Sequence, residues 1–271
     1  MTPEEEWRAL LTGTHPHLQH QPFRFVPSSP RCKLCAAPFR GPGGVVFRRY
    51  GYGPWEKNPN ICGRCFQGLS EHVQHCPGSD EDGTVGGAEV ELSMLFADVR
   101  GSSELARRIS TREFTSLMQR FYATSRDVLV DGDAIVEKFI GDEVAALFLP
   151  FLTGPNHARR AIDVAQDLLR AVGYGSPEGP WVPLGIGVHT GVAFVGMVAS
   201  GGVSDFTALG DPVNLTAHLA SQAAAGEIFV SETAMASAGL DEPAGEHRHV
   251  SLKGHPLDVV VLQAVASPAP A

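Results

Sequence analysis

From Val90 onward the chain shows a regular pattern of apolar and polar positions. Val90, Leu92, Met94 and Phe96 recur at the two-residue period of a half-buried strand. Leu105, Ile109, Phe114, Leu117, Met118, Phe121, Tyr122, Ser125, Val128 and Leu129 then follow at helical spacing. The stretch IVEKFIGDEVAALF, residues 135 to 148, reads as two short strands meeting at Gly141-Asp142, which is ordinary hairpin chemistry. Ala158, Ala161, Ile162, Ala165, Leu168, Leu169 and Val172 mark a second amphipathic helix, and residues 184 to 198 read as two glycine-rich strands around His189-Thr190-Gly191. The order β-α-β-β-α-β predicts an α+β domain of the ferredoxin-like, split βαβ kind. A helix over 212–224, a strand over 227–230 and a closing strand pair over 247–264 extend it.

Before residue 90 that pattern lapses. Residues 1–30, with THPHLQH and several prolines, read as a lightly ordered tail with a hint of helix near Glu4 to Leu11. Residues 31–76 hold all five cysteines, and PGSDEDGTVGGAE, 77–89, has the composition of a linker. The large domain is expected over 90–265 and a disordered tail over 266–271. The formal charge of −9 is uneven: Arg31, Lys33, Arg40, Arg48, Arg49, Lys57 and Arg64 stand against Glu56 alone between Arg31 and Cys65. This suggests two units with different partners, or a solvated basic face, and nothing in it forms a nucleic-acid motif. The start MTPEEEW is acidic where a secretory leader is basic, and the longest nearly uncharged run, 191–203, is broken by glycine and too short to span a membrane. A soluble, cytoplasmic protein is the expectation.

Cys32-Lys-Leu-Cys35 and Cys62-Gly-Arg-Cys65 are two C-x-x-C pairs across a glycine- and proline-rich loop. Four thiolates at this spacing are the ligand set of structural zinc, in a small zinc-ribbon-like module. A disulfide or redox pair is the alternative reading, and His72, His75 and Cys76 form an alternative ligand group. So short a segment needs the metal to hold a core, so the zinc is expected to be structural.

Two features of the larger domain call for chemistry. Lys138 sits on a strand expected to be half-buried, where an ammonium needs solvent or a partner. Asp98 ends the first strand, in FADVRGSSEL, and Asp142 lies at the hairpin tip. If those strands are neighbours, two carboxylates without a basic partner meet at one edge, a situation commonly resolved by hard cations such as Mg²⁺. Gly101, Ser102 and Ser103 open a helix whose N–H groups point to the same edge, where phosphate would bind.

FADVRGSS, EKFIGDEVAALF, GIGVHTGVAFVG and TALGDPVNLTAHLA, in this order and spacing, resemble the catalytic domain of the class III adenylyl and guanylyl cyclases. The resemblance covers about residues 88 to 265. It implies that Asp98 and Asp142, with the backbone carbonyl of Val99, hold two Mg²⁺ or Mn²⁺ ions. One would activate the ribose 3′-hydroxyl and the other would hold the triphosphate, for an in-line displacement that releases pyrophosphate. Lys138 falls where adenylyl cyclases read adenine N1, and Thr207 at the partner position, so ATP is the implied substrate. Asn214 would orient the ribose and Lys253 reach the triphosphate. Four residues after Asn214 the family places an arginine that stabilises the transition state, and here His218 stands instead. His189 reads as a structural residue in a turn.

The implied assembly is a head-to-tail homodimer with two equivalent sites, converting ATP to cyclic AMP. The histidine keeps two alternatives open: a nucleotide-binding sensor or scaffold, and one half of a heterodimer.

Overall fold

The three-dimensional structure is a computed structural model describing residues 2–19, 21–27, 29–67, 85–200, 203–240, 246–252 and 255–264. The alternation from Val90 belongs to a longer strand, β1 (Val85–Val99). Residues 85–89, expected in a linker, are therefore strand, and the rest of that stretch lies outside the described residues. The glycines there mark a close approach: a Cβ on Gly87 would fall 2.5 Å from the Val195 carbonyl oxygen.

The helical spacing after β1 resolves into α3 (Ser102–Arg108) and α4 (Thr111–Asp131), numbered after two amino-terminal helices, α1 (Pro3–Leu11) and α2 (Gly41–Arg49). The break between α3 and α4 is a capping box. Ser110 Oγ accepts from the Glu113 N–H at 3.3 Å, and the Glu113 carboxylate accepts from the Ser110 N–H at 2.9 Å. The hairpin follows as β2 (Ile135–Ile140) and β3 (Glu143–Phe148), then α5 (His157–Ala171).

Residues 184 to 198 do not form two strands. They belong to one continuous strand, β4 (Leu184–Ser200), and His189 sits within it rather than in a turn. Its glycines make room for α6 (Asp211–Gln222), since a Cβ on Gly187 would lie 2.4 Å from the Ala220 nitrogen and one on Gly185 would lie 2.5 Å from the Ala223 carbonyl oxygen. Strand β5 (Val203–Leu209), which the pattern did not reveal, returns antiparallel along β4. Strand β6 (Glu227–Ser231), α7 (Glu232–Ser237), β7 (Glu246–Leu252) and β8 (His255–Gln263) complete the chain. The sheet runs β2-β3-β1-β4-β6-β8-β7, with β5 off this path and paired to β4.

The chain forms two compact units, and β1 and β4 contribute residues to both. The larger comprises Leu92–Phe148, Asn156–Gly191 and the chain from Gly210 on. On one face of its sheet Phe121, Leu129, Ile162, Leu168 and Leu169 of α4 and α5 pack against Leu95, Val144, Phe148, Ile186 and Val188. Side chains alternate across a strand, so Ile228 and Val230 join that core while Phe229 joins a second one under α6, with Leu219, Val259 and Val261.

The smaller unit gathers Met1–Glu91, Leu149–Pro155 and Val192–Leu209. The described residues within 1–30 are more ordered than a tail: Thr2 and Glu5 form a capping box on α1, which buries Trp7, Leu10 and Leu11. Phe151 and Leu152 join the core around the cysteines, so that core draws on sequence beyond residues 31–76. Residues 266–271 lie outside the described residues. No helix among the described residues is long and apolar enough to cross a membrane.

Candidate active site and cysteine cluster

Strand β1 pairs antiparallel with β3, which places Asp98 opposite Glu143, and the Val99 N–H donates to the Asp142 carbonyl at 3.0 Å. Asp98, Val99 and Asp142 therefore meet at one edge, beside Gly101 and Ser102 at the start of α3. The turn that presents Asp142 depends on Gly141, whose φ of +60° suits the first position of a two-residue hairpin loop. Tyr122 of α4 donates its hydroxyl to the Gly141 carbonyl and fixes that turn from below.

The carboxylates are not without partners, as the spacing had suggested. Arg100 forms an ion pair with Asp98 and also donates to the Ser221 carbonyl at 2.6 Å, while its Nε is buried with no hydrogen-bond partner among the described residues. The Ser102 hydroxyl donates to Asp142. Burial, and then the Asp142 charge, push Glu143 above the usual carboxylate range against the pull of Lys138 and Arg100. Burial lowers Arg100 although Asp142 and Glu143 oppose it. Asp98, Asp142 and Glu143 bring three carboxyl groups to this edge beside the Arg100 guanidinium, and their oxygen donors fit a hard divalent cation. Arg100 and Tyr122 were missed in the sequence. Arg100 stands in FADVRGSS two residues after Asp98, whereas Tyr122 reads only as one more helix position.

The register of β2 and β3 slips at Glu137: Val136 faces Ala146, and Lys138 faces the next residue, Ala145. A bulge re-aims the side chains around it. Glu137 turns inward, 3% exposed, and the Lys138 ammonium stays half in solvent with the Glu137 carboxylate 3.4 Å away. Both needs of a strand lysine, solvent and a counter-charge, are met.

Asn214, exposed, and His218, half-buried, lie one turn apart on the same face of α6. Thr207 is half-buried on β5. Lys253 lies outside the described residues. His189 is buried and hydrogen-bonds Ser231 at 2.8 Å and Thr233 at 3.3 Å, so it ties β4 to β6 and α7; burial lowers its pKa to about 4.

The adenylate and guanylate cyclase catalytic domain matches residues 88–263. The chain belongs to this family. Among solved structures, the guanylyl cyclase Cya2 is 26% identical with a TM-score of 0.58, over 69% of this chain and 97% of that one. The adenylyl cyclase CyaB from P. aeruginosa is 24% identical with a TM-score of 0.56, over 68% and 98%. An uncharacterized protein of Mycobacterium tuberculosis is 30% identical over 65% of this chain and 32% of its own length. The chain spans about a third of the length of that curated relative. Structural neighbours of both base preferences mean that the cyclase fold does not itself select the purine.

Ahead of the cyclase domain, the four sulfurs of Cys32, Cys35, Cys62 and Cys65 lie within 4.8 Å of one another. Cys32 and Cys65 are 3.9 Å apart and Cys35 and Cys62 3.7 Å, far beyond a disulfide. A tetrahedral zinc with Zn–S bonds of about 2.3 Å requires S···S edges of about 3.8 Å, which those two separations match. Backbone N–H groups already point at sulfur, from Cys62 to Cys32 and from Cys65 to Cys62, each at 3.3 Å. Hydrogen bonds from the other three cysteines pull Cys32 below the ordinary thiol range. No other group of three or more His, Cys, Asp or Glu side chains gathers in this way among the described residues. His72, His75 and Cys76 lie outside them.

Proposed function

We propose that the chain is a cytoplasmic adenylyl cyclase that converts ATP to 3′,5′-cyclic AMP and pyrophosphate as a head-to-tail homodimer. The observation that carries this reading is Lys138. An ammonium donates to the unprotonated N1 of adenine and has nothing to offer guanine N1, which bears its own hydrogen. The bulge at Glu137 leaves that ammonium half in solvent, available to a ligand.

In this reading Thr207 supplies the second base contact, Asn214 orients the ribose, and Lys253 with Gly101 and Ser102 holds the triphosphate. Asp98, Asp142 and the Val99 carbonyl would hold Mg²⁺ or Mn²⁺, which supplies charge neutralisation at the phosphates and a more acidic ribose hydroxyl. The four cysteines would hold a structural zinc. Phe139 and Ile140, 39% and 51% exposed beside the Asp142 turn, support a second copy that covers them. His218 favours a second reading, in which the chain binds ATP as a sensor or lends its aspartates to a heterodimer partner that brings an arginine.

The test is cyclic AMP formation by the purified full chain with Mg²⁺ and with Mn²⁺, beside the Lys138→Glu, Thr207→Cys double variant. Adenylyl specificity predicts cyclic AMP from the wild type and a shift toward GTP in the variant, whose glutamate accepts from guanine N1 and N2. An unchanged ratio of ATP to GTP binding in a folded double variant removes these residues from base reading.

A further inference from the structure

Strand β5 carries Thr207 and, among the described residues, has a single strand partner, β4. Its position is also set by the loop between the two C-x-x-C pairs. Lys57 Nζ donates to the Phe206 carbonyl at 2.9 Å and to the Asp205 carboxylate at 2.5 Å. Phe206, 3% exposed, enters an aromatic cluster in which Trp55 and Phe66 stack at 3.9 Å and both meet its ring edge-on, at 6.1 and 5.5 Å. Both aromatic residues are held by the second cysteine knuckle. Trp55 N–H donates to Ile61 C=O at 2.9 Å, Pro54 forms a β-bridge with Cys62, and Phe66 N–H donates to Cys62 C=O at 3.1 Å.

The two residues so gripped are those immediately before Thr207. An exposed ion pair such as Lys57 with Asp205, whose carboxylate side chain is 58% exposed, contributes little by itself. The buried ring and the carbonyl hydrogen bond do the holding, because moving Phe206 would empty an aromatic slot and orphan an acceptor. Side chains on a strand move with their backbone, and a hydroxyl–base hydrogen bond weakens within a few tenths of an ångström beyond about 3 Å. We propose that Trp55, Lys57 and Phe66 are positioning residues for Thr207, so that the metal-held cysteine knuckle sets the purine preference of the cyclase. The proposal rests on the reading of Thr207 as a base contact.

The experiment uses the full chain, Mn²⁺, and the non-cyclisable α,β-methylene analogues of ATP and GTP, with both affinities measured by calorimetry. Thr207→Val should lower the ATP to GTP affinity ratio by about tenfold, the scale of one directed hydrogen bond. Trp55→Leu with Lys57→Gln should lower the same ratio by about threefold or more at unchanged zinc content, and restoring the charge with Lys57→Arg should recover part of it. Removal of zinc by a chelator, dialysed away before Mn²⁺ is restored, should mimic the double variant, and return of zinc should reverse the change. Should the double variant lose zinc, Lys57→Gln alone keeps the cysteines and the aromatic cluster and carries the same test. A ratio that moves with Thr207→Val but not with the module variants overturns the positioning role and leaves the adenylyl reading standing. Equal weakening of both analogues does so too. A ratio unmoved by Thr207→Val removes the base contact and the proposal together.

Discussion

Asp98 and Asp142 each already hold a protein partner, Arg100 and Ser102, so a metal entering there competes with a guanidinium for Asp98. Arg100→Ala should therefore tighten Mn²⁺ binding by roughly threefold to tenfold, the effect of about 1 kcal/mol from a half-buried charge pair, as measured by calorimetry. Weaker binding in that variant would mean that Arg100 serves to aim Asp98. His218 raises a different question, since by the resemblance it stands where a permanently charged, forked donor is expected. His218→Arg should raise turnover by up to about 100-fold with little change in ATP affinity, because a contact confined to the transition state acts on kcat. Steady-state kinetics of the folded protein check this, and an arginine variant no faster than wild type shows that the missing group is not limiting.

Among the elements, most strands and helices were legible from hydrophobic period, and the failures have physical causes. The break between α3 and α4 was written in the sequence as Ser110-x-x-Glu113, but an unbroken apolar period hid it. In β4 the glycines suggested a turn, because glycine serves turns and close backbone contacts alike and only the position of α6 separates the two. Gly187→Ala should thus cost about 3 kcal/mol or more in chemical denaturation, since its Cβ would overlap the Ala220 backbone, which cannot yield as a side chain can. A loss under 1 kcal/mol would mean that α6 rides loosely on the sheet. The bulge at Glu137 was likewise invisible, although Lys138 signalled that something unusual was needed there. His189 ties β4 to β6 and α7 as a neutral ring. Unfolded, it takes a proton near pH 6.5, and folded only near pH 4, so between those values the unfolded state binds more protons and stability falls as the pH drops. The loss should approach about 3 kcal/mol by pH 4 and should be largely absent in His189→Asn, with urea midpoints across pH as the measurement.

At the scale of the whole molecule, the cysteines and the cyclase motifs were each legible, but the way the chain divides was not. Residues 149–155 and 192–209 belong to the same compact unit as the amino-terminal residues, and no local pattern announces such long-range packing. Trp55 and Lys57 lie in the loop between the cysteine pairs and Phe66 just after them, and no local pattern marks their role until β5 is seen beside them. That placement has a practical consequence for anyone who isolates the cyclase span. A chain beginning at Val85 would lack the lysine that covers β5 and the rings that cover Phe206, leaving an apolar strand edge open to addition by another chain. Such a truncation should form soluble aggregates larger than a dimer at concentrations where the full chain does not, as read by light scattering, and Phe206→Lys within it should suppress them. On that outcome the cysteine module would shield the hairpin it touches from pairing with another copy along this edge.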